Sequence, residues 1–259
     1  MTAQPLDRVG PQLDGVYNFR DLAGVAPAPI DGRPLAPGRL FRSDGLHRAP
    51  IDQQSLLLDV PVANVIDLRT SAEIEREGRF SADGITWRHA PILESLADFL
   101  SADAGDGSVD LLCRHYEHMI AANAEALAMA LGAVADSVER GPTVFHCTAG
   151  KDRTGVVAAL VLASVGVDDD AIAADFASSA AGIDRMVAWY RRNTDSTPAD
   201  KMAEMGLDPA MAPIVMGAEA ATMVTFLDRL RAANGGIRPY LASIGAVGSV
   251  DRITAALLA

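Results

Sequence analysis

Cys147 and Arg153, six positions apart, are the residues around which chemistry can be organised in this chain. They lie in His146-Cys-Thr-Ala-Gly-Lys-Asp-Arg-Thr-Gly, residues 146–155, between an apolar run ending in Thr143, Val144 and Phe145 and a second one starting at Thr154. The first run reads as the end of a buried strand and the second as a buried helix, so residues 146–155 read as a strand-to-helix loop. In such a loop the N–H groups of residues 148–153 can converge as a concave nest, and the helix start adds about half a positive charge. That is an oxyanion site with a thiol at its lip. The helix dipole, Lys151 and Arg153 are expected to draw the Cys147 thiol from about 8.5 into the range of roughly 3.5 to 7.5, giving a thiolate without a neighbouring base. Arg153 can curl back and hold two oxygens of an anion with its planar fork, which a lysine does less well. Thr148, Ala149, Gly150 and Lys151 supply the remaining anion contacts, and Gly150 and Gly155 permit the tight backbone. The Thr154 hydroxyl can hydrogen-bond the sulfur and stabilise it as a leaving group.

The stretch resembles the Cys-x5-Arg signature of the protein tyrosine phosphatase superfamily, and Lys151-Asp152 within it is similar to the bacterial tyrosine/serine/lipid phosphatases. Asn18-Phe-Arg-Asp-Leu-Ala-Gly and Val65-Ile-Asp-Leu-Arg are similar to that family's N-terminal segments. With Gly235-Gly236 and the terminal helix, the resemblance covers most of the chain. Fixing His, Cys, Gly, Arg, Thr and Gly together has a chance probability on the order of one in ten million at average residue usage.

The resemblance implies a cysteine-phosphatase fold: a single α/β domain over residues 1–259, with a central, mostly parallel sheet flanked by helices and a helical lid insertion at 181–215. It implies a phosphomonoester hydrolase in which Cys147 attacks phosphorus and water then hydrolyses the phosphocysteine, with no metal or cofactor. A protein-tyrosine phosphatase is the first reading, and phosphoserine, phosphothreonine and phosphoinositide substrates stay open. Asn18, Arg20 or Asp21 would buttress the loop. His146 would tune the cysteine through hydrogen bonds or serve a plain supporting role, and Asp67 would end a neighbouring strand.

The general acid has four candidates, because the chain has no Trp-Pro-Asp tripeptide. Asp152 lies in the loop, Glu94 and Asp98 follow the strand near Ile85, and Asp67 ends another strand. Asp152 is favoured, since it places a carboxylate near the scissile oxygen without loop closure. Competing readings are a buried structural cysteine, a catalytically dead phosphate binder, a phospho-dependent binding module, and a sulfurtransferase or arsenate reductase. Arg153-Thr154-Gly155 favours phosphate chemistry, and the lack of a suitably placed resolving cysteine weakens the reductase.

The elements that must hold this loop follow from periodicity. Residues 1–14 have no pattern and read as a loose arm. Residues 17–24 read as a short extended segment, 38–44 as a strand, 50–58 as a helix opened by proline, 62–68 as a buried strand and 85–90 as another. Thr70-Ser-Ala-Glu is a capping box opening a short helix through Glu77. Residues 110–140 are helical with weak breaks near Asn123 and Gly132. Residues 168–180, 183–192 and 198–205 form three short helical patterns, 217–233 a helix ended by Asn234-Gly-Gly, and 250–258 the last helix. Alternating strands and helices predict a mostly parallel sheet covered on both faces, with the loop at its C-terminal rim.

With 49% apolar residues the 259-residue chain can bury a sizeable core. No apolar run approaches the roughly 20 residues of a membrane span, and Met1-Thr-Ala-Gln-Pro-Leu-Asp-Arg lacks the regions of a secretory signal. The expectation is a cytoplasmic protein, with export by an unconventional route left open. Two cysteines suit a reducing compartment, and Cys113, among Leu111, Leu112 and Met119, reads as core. A net charge of −12 argues against nucleic acid or an obligatory anionic membrane as partner. A phosphorylated protein or phosphoinositide must therefore be captured by local charge; the oligomeric state is open.

Overall fold

The computed structural model describes residues 13–25, 33–50, 60, 62–94, 108–194, 197, 200, 203, 209 and 212–258. Among them, strands β1 Arg20–Asp21, β2 Leu40–Ser43, β3 Asn64–Asp67, β4 Thr86–His89 and β5 Thr143–His146 form one sheet. The order is β1-β2-β5-β3-β4, with β1 antiparallel to β2 and all other pairs parallel. Ser43, His146 and Asp67 are register partners, so β2, β5 and β3 end at one level. Asp44, Cys147 and Leu68 leave the sheet from that shared rim.

Strand alternation divides the core. Leu40, Ile66 and Phe145 face the larger apolar cluster, while Phe41, Val65 and Val144 face the smaller one. The larger cluster is built mainly by helices. These are α1 Ser71–Glu77, α2 Ser108–Ala122, α3 Ala124–Arg140, α4 Asp152–Val165, α5 Asp169–Ala177, α6 Ser179–Asn193, α7 Ala212–Met216, α8 Ala220–Asn234, α9 Ile237–Ser243 and α10 Val247–Leu257. Helix α4 is apolar nearly all round and is the central buried helix. It stops at Gly166, whose φ of 97° is left-handed and whose N–H reaches back to Leu162 and Ala163.

Several expectations shift. Helix α4 starts at Asp152, so Arg153 belongs to its first turn and the loop is shorter than residues 146–155. The 110–140 pattern breaks once, at Asn123, whose non-helical backbone (φ −123°, ψ 35°) separates α2 from α3. Gly132 stays inside α3, where an added Cβ would meet Ser249 Oγ of α10 at 3.7 Å. Helix α9 carries too short a pattern to have been assigned from sequence. The arm is not loose to residue 14, because Leu13 is buried in the smaller cluster and Tyr17 Oη donates to Asp14. Asp98, the 50–58 helix apart from Pro50, most of the 1–14 arm, Met202, Met205 and much of 195–211 lie outside the described residues.

No single helix among the described residues is long and apolar enough to cross a membrane. Helices α2 and α3 reach that composition only together, across an 84° bend.

Candidate active site

The loop after β5 is held from outside by its carbonyls. Thr148 O accepts from the Gly45 N–H (3.0 Å) and from Arg48 Nη1 (3.0 Å). Asn18 Nδ2 donates to Ala149 O and Gly150 O, each at 3.1 Å, and Arg42 Nη2 donates to Gly150 O at 2.7 Å. In a planar trans peptide the N–H points opposite to the carbonyl. The N–H groups of Ala149, Gly150 and Lys151 therefore face away from these donors. Gly150 has φ +67°, and a Cβ there would sit 2.5 Å from Ser43 O and 2.6 Å from Asp44 N, so no side chain fits. Gly155 serves closeness instead: a Cβ would meet the Phe176 ring at 3.0 Å.

The donors are themselves anchored. Asp44, 1% exposed, accepts from the N–H of Tyr17 (3.0 Å) and Asn18 (2.9 Å) and from Arg48 Nη2 (2.5 Å). Arg42 pairs with Asp175 of α5, and Arg20 Nε binds the same carboxylate at 2.6 Å. Burial, with Arg20 beside it, pushes Arg42 down to about 10, still a cation at neutral pH. Of the three expected buttresses, Asn18 touches the loop and Arg20 acts through Asn18 Oδ1 (2.5 Å). Asp21 closes a turn instead, accepting from Ala23 and Gly38 N–H.

Arg153 is 5% exposed and meets Glu73 in a two-point ion pair, Nη1 to Oε2 at 2.5 Å and Nη2 to Oε1 at 2.8 Å. Thr148 Oγ1 also donates to Glu73. The same carboxylate completes the predicted capping box, accepting from Thr70 N–H at 2.8 Å while Glu73 N–H donates to Thr70 Oγ1 at 3.2 Å. Burial alone would push Glu73 up, but the Arg153 guanidinium and these hydrogen bonds outweigh it and hold the carboxyl at about 2. Glu73 thus turns a helix cap into the orienter of the loop arginine. Its capping role was visible in the sequence; its partner across 80 residues was not.

Asp152 Oδ1 is met by two groups: Tyr116 Oη donates to it at 2.6 Å, and Lys151 Nζ pairs with it as an ion at 3.1 Å. The Lys151 ammonium is 1% exposed and also donates to Val215 O and to Gly217 O (2.8 Å), so α7 and the residue after it are tied to the loop.

Asp67 is fully buried and forked by Arg69, with Nε to Oδ1 at 3.0 Å and Nη2 to Oδ2 at 2.8 Å. Burial opposes ionisation there, but nearby His146 and Arg69 outweigh it and hold the carboxyl far below the usual range. A permanently ionised Asp67 supports the rim and has no proton to give. Burial pushes His146 down to about 4, so it is neutral at pH 7. Its Nδ1 donates to the Cys147 carbonyl at 3.1 Å, not to the sulfur. Glu94 lines a separate cavity of about 510 Å³ with Arg88, Met129 and Asp136, and no residue of the loop lines it. The Thr154 hydroxyl is buried without a hydrogen-bond partner among the described residues.

Cys147 is 2% exposed, and both cysteines are free thiols. Cys113 lies in the core as expected, donating to Thr222 O at 3.2 Å, and burial pushes its thiol up to about 11. Among the described residues no group of three His, Cys, Asp or Glu could hold a metal ion. Helix α6, at the start of the expected lid, packs close enough that a Cβ on Gly182 would sit 2.9 Å from Tyr17 O.

Comparison with known proteins gives concordant matches. Residues 11–259 match the model of the tyrosine phosphatase family. The triple specificity protein phosphatase PtpB of Mycobacterium tuberculosis is 32% identical over 236 residues, covering 79% of this chain and 78% of that protein. A provisionally named tyrosine-protein phosphatase of Cupriavidus necator, H16_A0669, is 28% identical over 244 residues, covering 88% and 81%. Among solved structures, P. aeruginosa TpbA aligns at a TM-score of 0.35 and 17% identity over 69% of this chain and 86% of its own, too distant to carry an argument.

Proposed function

The chain belongs to the tyrosine phosphatase family, and from that premise we propose that it hydrolyses phosphomonoesters on proteins through a phosphocysteine on Cys147. In the first step the Cys147 thiolate forms the S–P bond as the bond to the leaving oxygen breaks, and Asp152 gives that oxygen its proton. In the second, water attacks phosphorus, Asp152 takes a proton from it, and the thiolate leaves. The N–H groups of Ala149, Gly150 and Lys151, with the Arg153 guanidinium, stabilise the equatorial oxygens where charge accumulates. The observation that supports this reading is the pinning of three successive loop carbonyls, which turns the N–H groups of the same peptides the opposite way. Cys147→Ser is expected to abolish phosphate release while still binding orthovanadate. Undiminished turnover would remove Cys147 as nucleophile, and phosphate binding without any release by the unaltered chain would make it a binding module.

The Mycobacterium tuberculosis relative is named for triple specificity. That name supports a substrate range wider than phosphotyrosine, extending to phosphoserine, phosphothreonine or phosphoinositides, and relative kcat/KM on the three classes decides it. A working free thiol suits a reducing compartment, and the cytoplasm is the proposed location.

A further inference from the structure

Tyr116 lies on α2, 36 residues from the loop in sequence, and is fully buried. Its ring meets Phe176 and Phe226 edge-on, with centroids 6.2 and 5.7 Å away. Those contacts fix the ring plane, and with only two rotatable side-chain bonds the hydroxyl has little freedom. It reaches out of the core to Asp152 Oδ1 at 2.6 Å, the oxygen that Lys151 also approaches. Both contacts are made to Oδ1. A carboxyl oxygen that already accepts a hydrogen bond and faces an ammonium is the poorer place for a proton, because protonation there would weaken both contacts.

We infer that Tyr116 is a positioning residue for the acid: with Lys151 it holds Asp152 through Oδ1 and so directs the transferable proton to Oδ2. The inference rests on the assignment of Asp152 as the acid. When the bond from phosphorus to the leaving oxygen breaks, its electron pair stays on that oxygen, which takes the proton from Oδ2. Oδ1 keeps the Tyr116 hydrogen bond and the Lys151 ion pair through the step, so the carboxylate formed is stabilised where it stands. Burial, reinforced by the facing carboxylate, pushes the Tyr116 hydroxyl well above its ordinary value, so it stays a donor.

The test compares two aryl phosphates on the full-length enzyme: phenyl phosphate, whose leaving group needs a proton, and 2,4-dinitrophenyl phosphate, whose leaving group does not. Phenylalanine at 116 keeps the ring and its edge contacts, so Tyr116→Phe isolates the hydroxyl. It is expected to lower kcat/KM for phenyl phosphate about tenfold, against less than about twofold for the dinitrophenyl ester. Asp152→Asn should show the same selectivity with a loss on the order of a hundredfold. Because Tyr116 acts through Asp152, adding Tyr116→Phe to Asp152→Asn should cause no further loss on phenyl phosphate. Equal losses on both esters, or losses that multiply in the double variant, would overturn the inference. An Asp152→Asn enzyme with unchanged leaving-group dependence would overturn the acid assignment itself, a distinguishable failure.

Discussion

The two flanks of the loop are held by different kinds of partner. On the side of α1 and β3 the partners are charges: Glu73 forks Arg153, and Arg69 forks Asp67 beside neutral His146. On the side of α2 and α7 they are neutral: the Tyr116 hydroxyl, and the carbonyls of Val215 and Gly217 around Lys151. Removing one member of a buried ion pair strands the other, whereas an ammonium resting on carbonyls can exchange them for an anion. The charged flank fixes geometry, and the neutral flank is the one able to answer a ligand.

The largest expected effect is on the charged flank. Arg153→Lys replaces a fork by a point charge that cannot serve Glu73 and phosphate together, and kcat/KM should fall on the order of 10²- to 10³-fold. Steady-state kinetics checks it; a loss under about tenfold would mean that charge alone suffices there. Glu73→Gln keeps the capping box but removes the charge facing buried Arg153, and should cost about 3 kcal/mol in urea unfolding. A loss below about 1 kcal/mol would make this pair no stronger than an exposed one and erase the contrast between flanks.

Acid should act on the same flank in two successive windows. His146 is held at about 4 against 6.5 for the free side chain, so between these values the unfolded chain binds a proton that the native one refuses. Stability is then full above pH 6.5 and falls as pH drops toward 4, by roughly 1 kcal/mol per pH unit. Glu73, held at about 2 against 4.5, adds its own loss below pH 4.5. Urea midpoints at pH 7, 5.5 and 4.5 should show the upper window, and His146→Asn should flatten it. An unaltered slope in that variant would assign the effect to another group.

The smallest effect is expected at the neutral flank. Lys151→Met should raise KM for a phosphomonoester about fivefold and, because it leaves two carbonyls and Asp152 Oδ1 without their buried ammonium, cost about 2 kcal/mol of stability. A larger stability loss with unchanged KM would make Lys151 a structural strap of α7 and nothing more.

The β5 strand, the apolar helix behind the loop, the capping box at Thr70 and the mostly parallel sheet were legible because periodicity and cap chemistry are local. Cys147 and Arg153, whose roles rest on the proposal above, were singled out through their spacing. The residues that orient them were not. Arg42, Asp44, Arg48, Glu73 and Asp175 are charged yet buried, against the usual rule, and each acts on a segment distant in sequence. Tyr116 carried no signal of its own in the sequence: its ring is core, and only its hydroxyl leaves it. The helix start was placed two residues late because Asp152 and Arg153 look like loop residues, while an aspartate in a first turn complements the helix dipole.

At Gly150 main chain touches main chain, with nothing between the loop and the end of β2. No rotamer can absorb a displacement at that seam, so the loop shifts only together with the end of β2. The hydrogen bonds that pin its carbonyls fix those peptide planes with no anion present, which is the preorganisation the proposed reaction requires.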